Sequence, residues 1–189
     1  YQNVPVTICF NKSDLVTEDE IQKLKDIYGP AGYRLIFTSA KKQEGIDELR
    51  ELLEGKTTAV AGPSGVGKSS LVNTLQSKIQ METGVLSTKI ARGKHTTRHS
   101  QIIPISNGTY IVDTPGFSSL LLFDLEKEEL AQYYFEFVDY EPECKFIGCS
   151  HTHEPVCGVK QALDKGMISP VRYKNYCLLY EELSSKKKY

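Results

Sequence analysis

Residues 62–69 read GPSGVGKS, a glycine-rich run of the form G-x-x-x-x-G-K-[ST]. Glycines in such a run let backbone N–H groups curl around phosphate oxygens, and the helix that follows adds its dipole. We expect Lys68 to reach the β- and γ-phosphates, Ser69 to bind Mg²⁺ and Ser70 to bond the α-phosphate. The predicted nucleoside triphosphate loop comprises Gly62, Pro63, Ser64, Gly65, Val66, Gly67, Lys68, Ser69 and Ser70.

The motif NKSD at 11–14 has the residue types that could read guanine. The Asp14 carboxylate can accept from guanine N1–H and from its 2-amino group, whereas adenine would leave that carboxylate unpaired. The Lys12 stem can lie along the base. At the end of the next predicted strand, a backbone N–H in TSAKK at 38–42 can meet guanine O6. The predicted guanine-site residues are Asn11, Lys12, Ser13, Asp14, Ser39, Ala40 and Lys41.

A third motif, DTPG, begins at Asp113 and ends at Gly116. Asp113 can hold Mg²⁺ through water, and the Gly116 N–H can bond the γ-phosphate. The phosphate loop alone also resembles that of guanylate kinases, which would make the chain a phosphotransferase. A guanylate kinase needs neither a base reader of this type nor this switch motif, so we favour a GTP-binding switch.

The order of these motifs differs from that of a Ras-type GTPase, in which the phosphate loop comes first. Here the base reader and base loop precede the phosphate loop and the switches. Such an order predicts a circular permutation, in which the same elements pack together while the chain break lies in a surface connection.

Three cysteines and a histidine are bunched near the end of the chain. Cys144, Cys149, His151 and Cys157 form C-x₄-C-x-H-x₅-C, a donor set that suits tetrahedral Zn²⁺ at a closed structural site. His153 competes as the fourth ligand. Unrelated core cysteines or a redox pair are the alternatives, and a catalytic zinc is disfavoured because four ligands leave no open position.

Elements that could position these motifs alternate as strands and helices up to about residue 123. The predicted strands are VPVTICF, YRLIFTSA, TTAVAG, SQIIPI and GTYIVD, and the helices are TEDEIQKLKDIYGPAG, GIDELRELLEG and KSSLVNTLQ. Cys9 is expected to be a small core residue, and residues near 81–100 a long loop. This alternation predicts an α/β fold with a mostly parallel sheet covered by helices on both faces.

The remainder of the chain is predicted to be helical. LEKEELAQYYFEF and SPVRYKNYCLLYEELSS flank the Cys/His cluster, with Ser169 as a cap and Pro170 at the first helical position. We therefore expect a GTPase domain over residues 1–123 and a small α-helical zinc-binding domain over residues 124–189.

Composition sets limits on the partners. The net charge of −1 gives no global nucleic-acid signature. No apolar run approaches the roughly 18–20 residues that cross a bilayer. Basic residues concentrate at Arg92, Lys94 and Arg98, near His95 and His99. The Lys186–188 tail is either solvated or an anion contact. Because the chain begins with Tyr1, we expect a fragment of a longer protein.

The motifs NKSD, TSAKK, GPSGVGKSS, GKHTTRH, DTPGF and CKFIGCSHTHEPVC, in that order, resemble those of the circularly permuted, ribosome small-subunit-dependent GTPases of bacteria. The resemblance covers essentially the whole chain. It implies a cytoplasmic GTP hydrolase in late maturation of the small (30S) ribosomal subunit, which binds GTP or GDP with Mg²⁺ and carries one zinc. It also implies rRNA contacts through the zinc domain and through an N-terminal OB-fold absent here, and subunit-stimulated hydrolysis. We expect a monomer.

The residue that orients the attacking water is not the usual one. Many GTPases place a Gln directly after D-x-x-G, whereas Phe117 stands there in this chain. His95 is the best local candidate, and the resemblance points to the same histidine, although an exposed or RNA-contacting His95 is the alternative. Either Thr96 or Thr97 is expected to bind Mg²⁺ and the γ-phosphate. A mainly RNA-binding module, whose nucleotide only sets its shape, is the competing function.

Overall fold

The computed structural model describes residues 4–83, 101–113 and 125–185 of the chain. Predictions for His95, Thr96, Thr97, Gly116 and Phe117 lie outside the described residues, as do those for the Lys186–188 tail. The side chain of Asp113 is also outside them, although its backbone is described.

The described elements alternate as predicted in the first part of the chain. The strands are β1 (Thr7–Asn11), β2 (Arg34–Thr38), β3 (Thr57–Val60), β4 (Gln101–Ser106) and β5 (Thr109–Asp113). The α-helices are α1 (Glu18–Tyr28), α2 (Ile46–Leu53), α3 (Lys68–Thr83), α4 (Gly158–Asp164) and α5 (Pro170–Ser185). The predicted α/β class is confirmed, and within residues 125–185 only helices and turns occur.

The described strands form two sheets. β1 pairs with β2, and the other sheet has the order β3-β5-β4. β3 runs parallel to β5 with Val60 opposite Asp113, whereas β4 and β5 form the predicted antiparallel hairpin. Because Val60 ends β3, the parallel register sets Asp113 at the same sheet edge from which the chain enters the glycine-rich loop.

The chain divides into two compact units. The first unit contains Tyr1–Ile8, Glu18–Leu35 and Leu121–Tyr189, and the second contains Cys9–Thr17 and Ile36–Leu120. The boundary predicted after residue 123 stays a prediction, since the first unit also draws on earlier parts of the chain.

Each unit has its own apolar core. In the second unit, α2 and α3 pack with β2, β4 and β5 through Ile36, Ile46, Leu49, Leu53, Val72, Leu75, Ile103, Ile105 and Ile111. In the first unit the core comprises Leu130, Ala131, Tyr134, Phe137, Cys157, Val159, Ala162, Ile168, Tyr176 and Leu183. Cys157, one of the four predicted metal ligands, is buried in the core of the first unit. The predicted metal site therefore depends on the packing of α4 and α5.

Four sequence expectations differ from the structure. Residues 81–83, predicted to begin a long loop, are helical, because α3 continues to Thr83. Cys9 is exposed rather than a core residue, because β1 has only β2 as a neighbour among the described strands. Residues 127–133 and 135–137 are 3₁₀ turns rather than one α-helix, since Tyr134 between them leaves helical geometry at φ −107° and ψ 79°. The Ser169 hydroxyl is buried without a hydrogen-bond partner in the described structure, so it does not cap α5.

Among the described helices, none combines the length and apolar character that a membrane span requires.

Candidate functional site

The glycine-rich loop lies where its sequence context predicts, between the end of β3 and the start of α3. Gly62, Gly65 and Gly67 have φ angles of 150°, 81° and 95°, a region that disfavours side chains. The Lys68 ammonium donates to the carbonyl oxygens of Gly62 and, at 2.9 Å, of Pro63. The loop therefore has the backbone geometry of a phosphate cradle, with its lysine folded across it.

The base reader and the phosphate loop meet in the second unit. Asn11 Nδ2 donates to the Val66 carbonyl at 2.9 Å, and Lys12 Nζ donates to the Gly65 carbonyl at 2.7 Å. A side chain at Gly67 would overlap Asn11 Nδ2, so this glycine also permits the close approach. Sequence analysis assigned Lys12 only to the base and missed its bond to the loop. These contacts join two motifs that stand far apart in the chain.

The other end of the Asn11 amide holds the base loop. Asn11 Oδ1 accepts from Thr38 Oγ1 and from the Ala40 backbone N–H, each at 3.3 Å. Because its oxygen accepts these two hydrogen bonds, the Asn11 amide directs its nitrogen towards the Val66 carbonyl. The Ala40 N–H, one candidate donor to guanine O6, is directed at Asn11 in this arrangement. Asn11 thus connects all three predicted nucleotide-binding segments.

Asp14 is held by a neighbour that sequence analysis placed in the base loop. Ser39 Oγ donates to Asp14 Oδ1 at 2.6 Å, and this bond lowers the pKa of the Asp14 carboxyl, with Lys41 and Lys42 contributing less. Ser39 itself is fully buried and pairs through its backbone with Glu44. The carboxylate is therefore ionised at neutral pH, which is the acceptor form that guanine recognition needs.

A pocket of about 240 Å³ connects these groups. Its lining consists of Asn11, Lys12, Asp14, Leu15, Ala40, Lys41, Gly67 and Ser70. Residues from the base reader, the base loop and the phosphate loop all contribute. Because the base-binding and phosphate-binding motifs share one pocket, a single nucleotide could contact them together.

The four predicted metal ligands converge in the first unit. The donor atoms of Cys144, Cys149, His151 and Cys157 all lie within 4.8 Å of one another. His151 Nδ1 lies 3.4 Å from Cys157 Sγ and 3.6 Å from Cys144 Sγ, so this ring nitrogen faces the thiols. Among the described residues, the competing His153 is outside the cluster; it is exposed, and its Nδ1 lies 2.8 Å from Thr152 Oγ1. This donor set could hold a metal ion.

Burial favours the neutral forms of these ligands. It raises the pKa of the Cys149 thiol to about 12, raises the pKa of Cys157 and lowers the pKa of His151. A neutral imidazole is the form that binds metals, whereas a thiol must lose its proton to do so. Metal binding at this cluster is therefore expected to release protons.

The loop that carries His151 is fixed by groups that sequence analysis did not identify. Glu141 Oε1 lies 3.6 Å from His151 Nε2, on the ring edge opposite the thiols. Tyr173 and Tyr176 donate their hydroxyls to the carbonyls of His151 and Ser150 at 2.6 and 2.7 Å. A carboxylate behind a ligating histidine orients its ring and raises its basicity.

The Glu154 carboxylate caps backbone N–H groups of the loop that carries His151. It accepts from the Ser150 N–H and hydroxyl at 2.8 and 2.7 Å and from the Thr152 N–H at 3.2 Å. Desolvation disfavours the charged form, but the two hydrogen bonds from Ser150 oppose it, and the pKa of Glu154 is lowered to about 2. The carboxylate therefore holds the turn around His151 at neutral pH.

Gly158, directly after Cys157, provides a test of how tightly the cluster is packed. A Cβ at this position would overlap the Tyr140 carbonyl oxygen and lie 2.7 Å from Glu143 Cβ, while the Gly158 N–H donates to Cys144 Sγ at 3.3 Å. Gly158→Ala should destabilise the first unit by about 1–3 kcal/mol through overpacking, and should weaken metal retention. Thermal unfolding and metal analysis measure both effects.

The control for that change is Gly29→Ala. Gly29 lies in the same unit, has no positive φ, and an added Cβ there would meet nothing within 4 Å. If both alanine variants unfold at the same temperature with full metal content, the cluster is not as closely packed as described.

Comparisons with known proteins agree with this geometry. A family model described as RsgA GTPase matches residues 1–123. A protein of Agathobacter rectalis named small ribosomal subunit biogenesis GTPase RsgA is 66% identical over 189 residues, which are 100% of this chain and 63% of that protein. Its namesake in Alkaliphilus metalliredigens is 46% identical over 188 residues, 100% of this chain and 64% of the relative. The chain thus spans less than two thirds of the length of these relatives.

Two solved structures share the fold. YjeQ from Thermotoga maritima superimposes with a TM-score of 0.77 at 39% identity, over 98% of this chain and 62% of that one. YloQ, described as a circularly permuted GTPase, gives a TM-score of 0.72 at 34% identity, over 97% of this chain and 58% of that one. These matches confirm the predicted permuted P-loop GTPase fold. With a family model matching most of its length and relatives this similar, the chain belongs to the RsgA GTPase family.

Proposed function

We propose that this chain is the GTP-hydrolysing and metal-binding part of a factor that acts in late maturation of the small (30S) ribosomal subunit. The observation that carries the proposal is the convergence of Asn11 and Lys12 on the carbonyls of Val66 and Gly65. This contact forms one nucleotide pocket from motifs in permuted order. The names of the relatives support the ribosomal role, since both are called small ribosomal subunit biogenesis GTPases.

The nucleotide is GTP or GDP rather than an adenine nucleotide. Asp14, ionised and held by Ser39, offers two acceptor oxygens to guanine N1–H and the 2-amino group. Adenine has an acceptor at N1 and lacks the amino group, so it would leave the carboxylate unpaired. A guanylate kinase remains disfavoured, because its chemistry does not require this base reader.

Two kinds of metal complete the proposal. Mg²⁺, when bound with the nucleotide, would neutralise charge on the β- and γ-phosphates, with Ser69 and Asp113 as its protein ligands. The parallel register of β3 and β5 supports this pair, because it sets Asp113 at the edge where the phosphate loop begins.

At the Cys/His cluster we propose one structural Zn²⁺ held by Cys144, Cys149, His151 and Cys157, since three thiols and one imidazole suit zinc.

We assign the water-orienting role to His95, with Thr96 or Thr97 and Gly116 contacting the γ-phosphate and Mg²⁺. The support is in the sequence: Phe117 occupies the position where many GTPases carry glutamine, and its side chain cannot accept from water. The imidazole would accept a hydrogen bond from the attacking water and hold it in line with the bond that breaks.

The same proposal covers the domain organisation, the RNA contacts, the cellular location and the oligomeric state. The GTPase domain would occupy residues 1–123 and the zinc-binding domain residues 124–189, with the latter contacting ribosomal RNA. Arg92, Lys94 and Arg98 would add phosphate contacts beside the switch. The protein would act in the cytoplasm as a monomer, with hydrolysis stimulated by the subunit. If nucleotide only set the shape of an RNA-binding module, turnover would not respond to subunits.

Asp14→Asn tests the assignment of the base reader. The change replaces a double acceptor with an amide that matches xanthine better than guanine, so GTP should bind at least about tenfold more weakly. Titration with a fluorescent GTP analogue, with GTP, XTP and ATP as competitors, measures the change. Asp19→Asn, an exposed aspartate on α1, is the matched control and should bind like the parent. Equal affinity of the parent for GTP and ATP would refute the assignment.

A further inference from the structure

A cavity beside the metal cluster has no role in the function proposed so far. It measures about 450 Å³ and lies entirely within the first unit. Cys144, Cys149 and His151 form part of its wall, but the volume greatly exceeds the space of one cation. It falls in the range of about 300–1,000 Å³ that is typical of small-molecule sites.

Of the aromatic rings that line this cavity, Phe146 and Tyr180 each have a lysine ammonium near the ring face. Lys145 Nζ lies 5.9 Å from the Phe146 ring centroid, and Lys127 Nζ lies 5.8 Å from that of Tyr180. Phe146 is 45% exposed, although it lies in the short loop between two metal ligands. Because Cys144 and Cys149 anchor that loop at both ends, the ring is presented to solvent at little further cost in chain entropy.

The polar groups of the cavity complement a nucleobase. Gln132 and Glu128 line it, and their side-chain oxygens can accept hydrogen bonds from an exocyclic amino group. Glu141, the other carboxylate in the lining, faces His151 Nε2 at 3.6 Å. The two ammonium groups can meet phosphate, while a ring with an adjacent cation is the arrangement on which unpaired bases stack.

We propose that this cavity binds an unpaired RNA nucleotide whose base carries an exocyclic amino group: adenine, cytosine or guanine. The base stacks on Phe146, its amino group donates to Glu128 or Gln132, and its phosphates lie near Lys127 and Lys145. Uracil lacks the amino group and binds more weakly. The inference rests on the proposed contact between this part of the chain and ribosomal RNA, and it specifies the residues and the base type of that contact.

The test measures fluorescence anisotropy of labelled oligoadenylate, oligocytidylate and oligouridylate of equal length, at one fixed salt concentration, with the zinc-loaded chain. The parent should prefer the first two. Phe146→Ala should raise the Kd for oligoadenylate about tenfold to a hundredfold, the scale of one lost base stack. Phe146→Trp keeps a stacking ring and should retain affinity. Phe135→Ala is the matched control, because Phe135 is 53% exposed in the same unit but does not line the cavity.

Zinc content and thermal unfolding of each variant show whether Phe146→Ala is folded. Ultraviolet crosslinking of the parent to oligoadenylate gives an answer independent of any variant, and should map to the peptide containing Phe146. An unchanged Kd in Phe146→Ala, equal affinity for oligoadenylate and oligouridylate, or no oligonucleotide binding by the parent would each overturn the proposal.

GTP turnover measured on the same samples separates this inference from the proposed function. Phe146→Ala should hydrolyse GTP like the parent in the absence of subunits. A parent that binds oligoadenylate but does not turn over GTP would refute the proposed hydrolase while leaving the cavity assignment standing. A parent that hydrolyses GTP but does not bind the oligonucleotides would refute the cavity assignment while leaving the proposed hydrolase standing.

Discussion

His151→Ala is expected to release the metal from the first unit and to unfold the loop around it. His151 is 2% exposed, its Nδ1 faces the thiols of Cys144 and Cys157, and Glu141 stands behind Nε2. Structural zinc contributes about 10–16 kcal/mol of apparent binding free energy in small zinc-finger peptides at neutral pH. The apolar core around Phe137 and Tyr176 should survive in part, because it does not consist of metal ligands alone.

Metal analysis of protein purified without added zinc measures the first effect, and we expect one zinc per parent chain and almost none in the variant. Thermal unfolding measures the second, with a midpoint lowered by about 10 °C or more. His153→Ala is the matched control, since His153 is exposed and outside the cluster. Zinc lost from His153→Ala but kept by His151→Ala would mean that the wrong histidine has been assigned.

His95→Ala is expected to leave GTP affinity nearly unchanged and to remove most subunit-stimulated hydrolysis, on the order of 10²-fold. We expect the affinity to reside in the pocket lined by Asn11, Asp14 and the phosphate loop, and the change leaves those residues as they are. Because Phe117 replaces the usual glutamine, no second water-orienting side chain is expected at that position. Single-turnover hydrolysis with saturating subunits isolates the chemical step.

His99→Ala, in the same segment of the sequence, is the control for general loss of histidine. It should respond to subunits like the parent. A His95→Ala variant that also responds fully would show that His95 is not the catalytic group, and that the ribosome supplies it.

Sequence patterns predicted those parts of the site that depend on local spacing. The phosphate loop, the N-x-x-D motif and the Cys/His cluster each lie within a short segment, and their geometry follows from the strand or turn that carries them. β3 ends and α3 begins where the glycine-rich run requires, and Gly62, Gly65 and Gly67 between them have positive φ angles.

Contacts between distant segments could not be read from spacing. The bond from Lys12 Nζ to the Gly65 carbonyl joins residues 53 positions apart, and no local pattern specifies a partner at that separation. The bond from the Tyr176 hydroxyl to the Ser150 carbonyl also joins distant residues, 26 positions apart. Likewise, Cys9 sits in an apolar run typical of a buried strand, but the exposure of a strand depends on its neighbours in the sheet.

GTP turnover by this chain, with and without purified small ribosomal subunits, tests the proposed function most directly. We expect slow hydrolysis of GTP alone, a marked increase on adding small subunits, no such increase with large subunits, and no turnover of ATP in either case. A rate that does not change with small subunits, or hydrolysis of ATP as fast as GTP, would refute the proposed function.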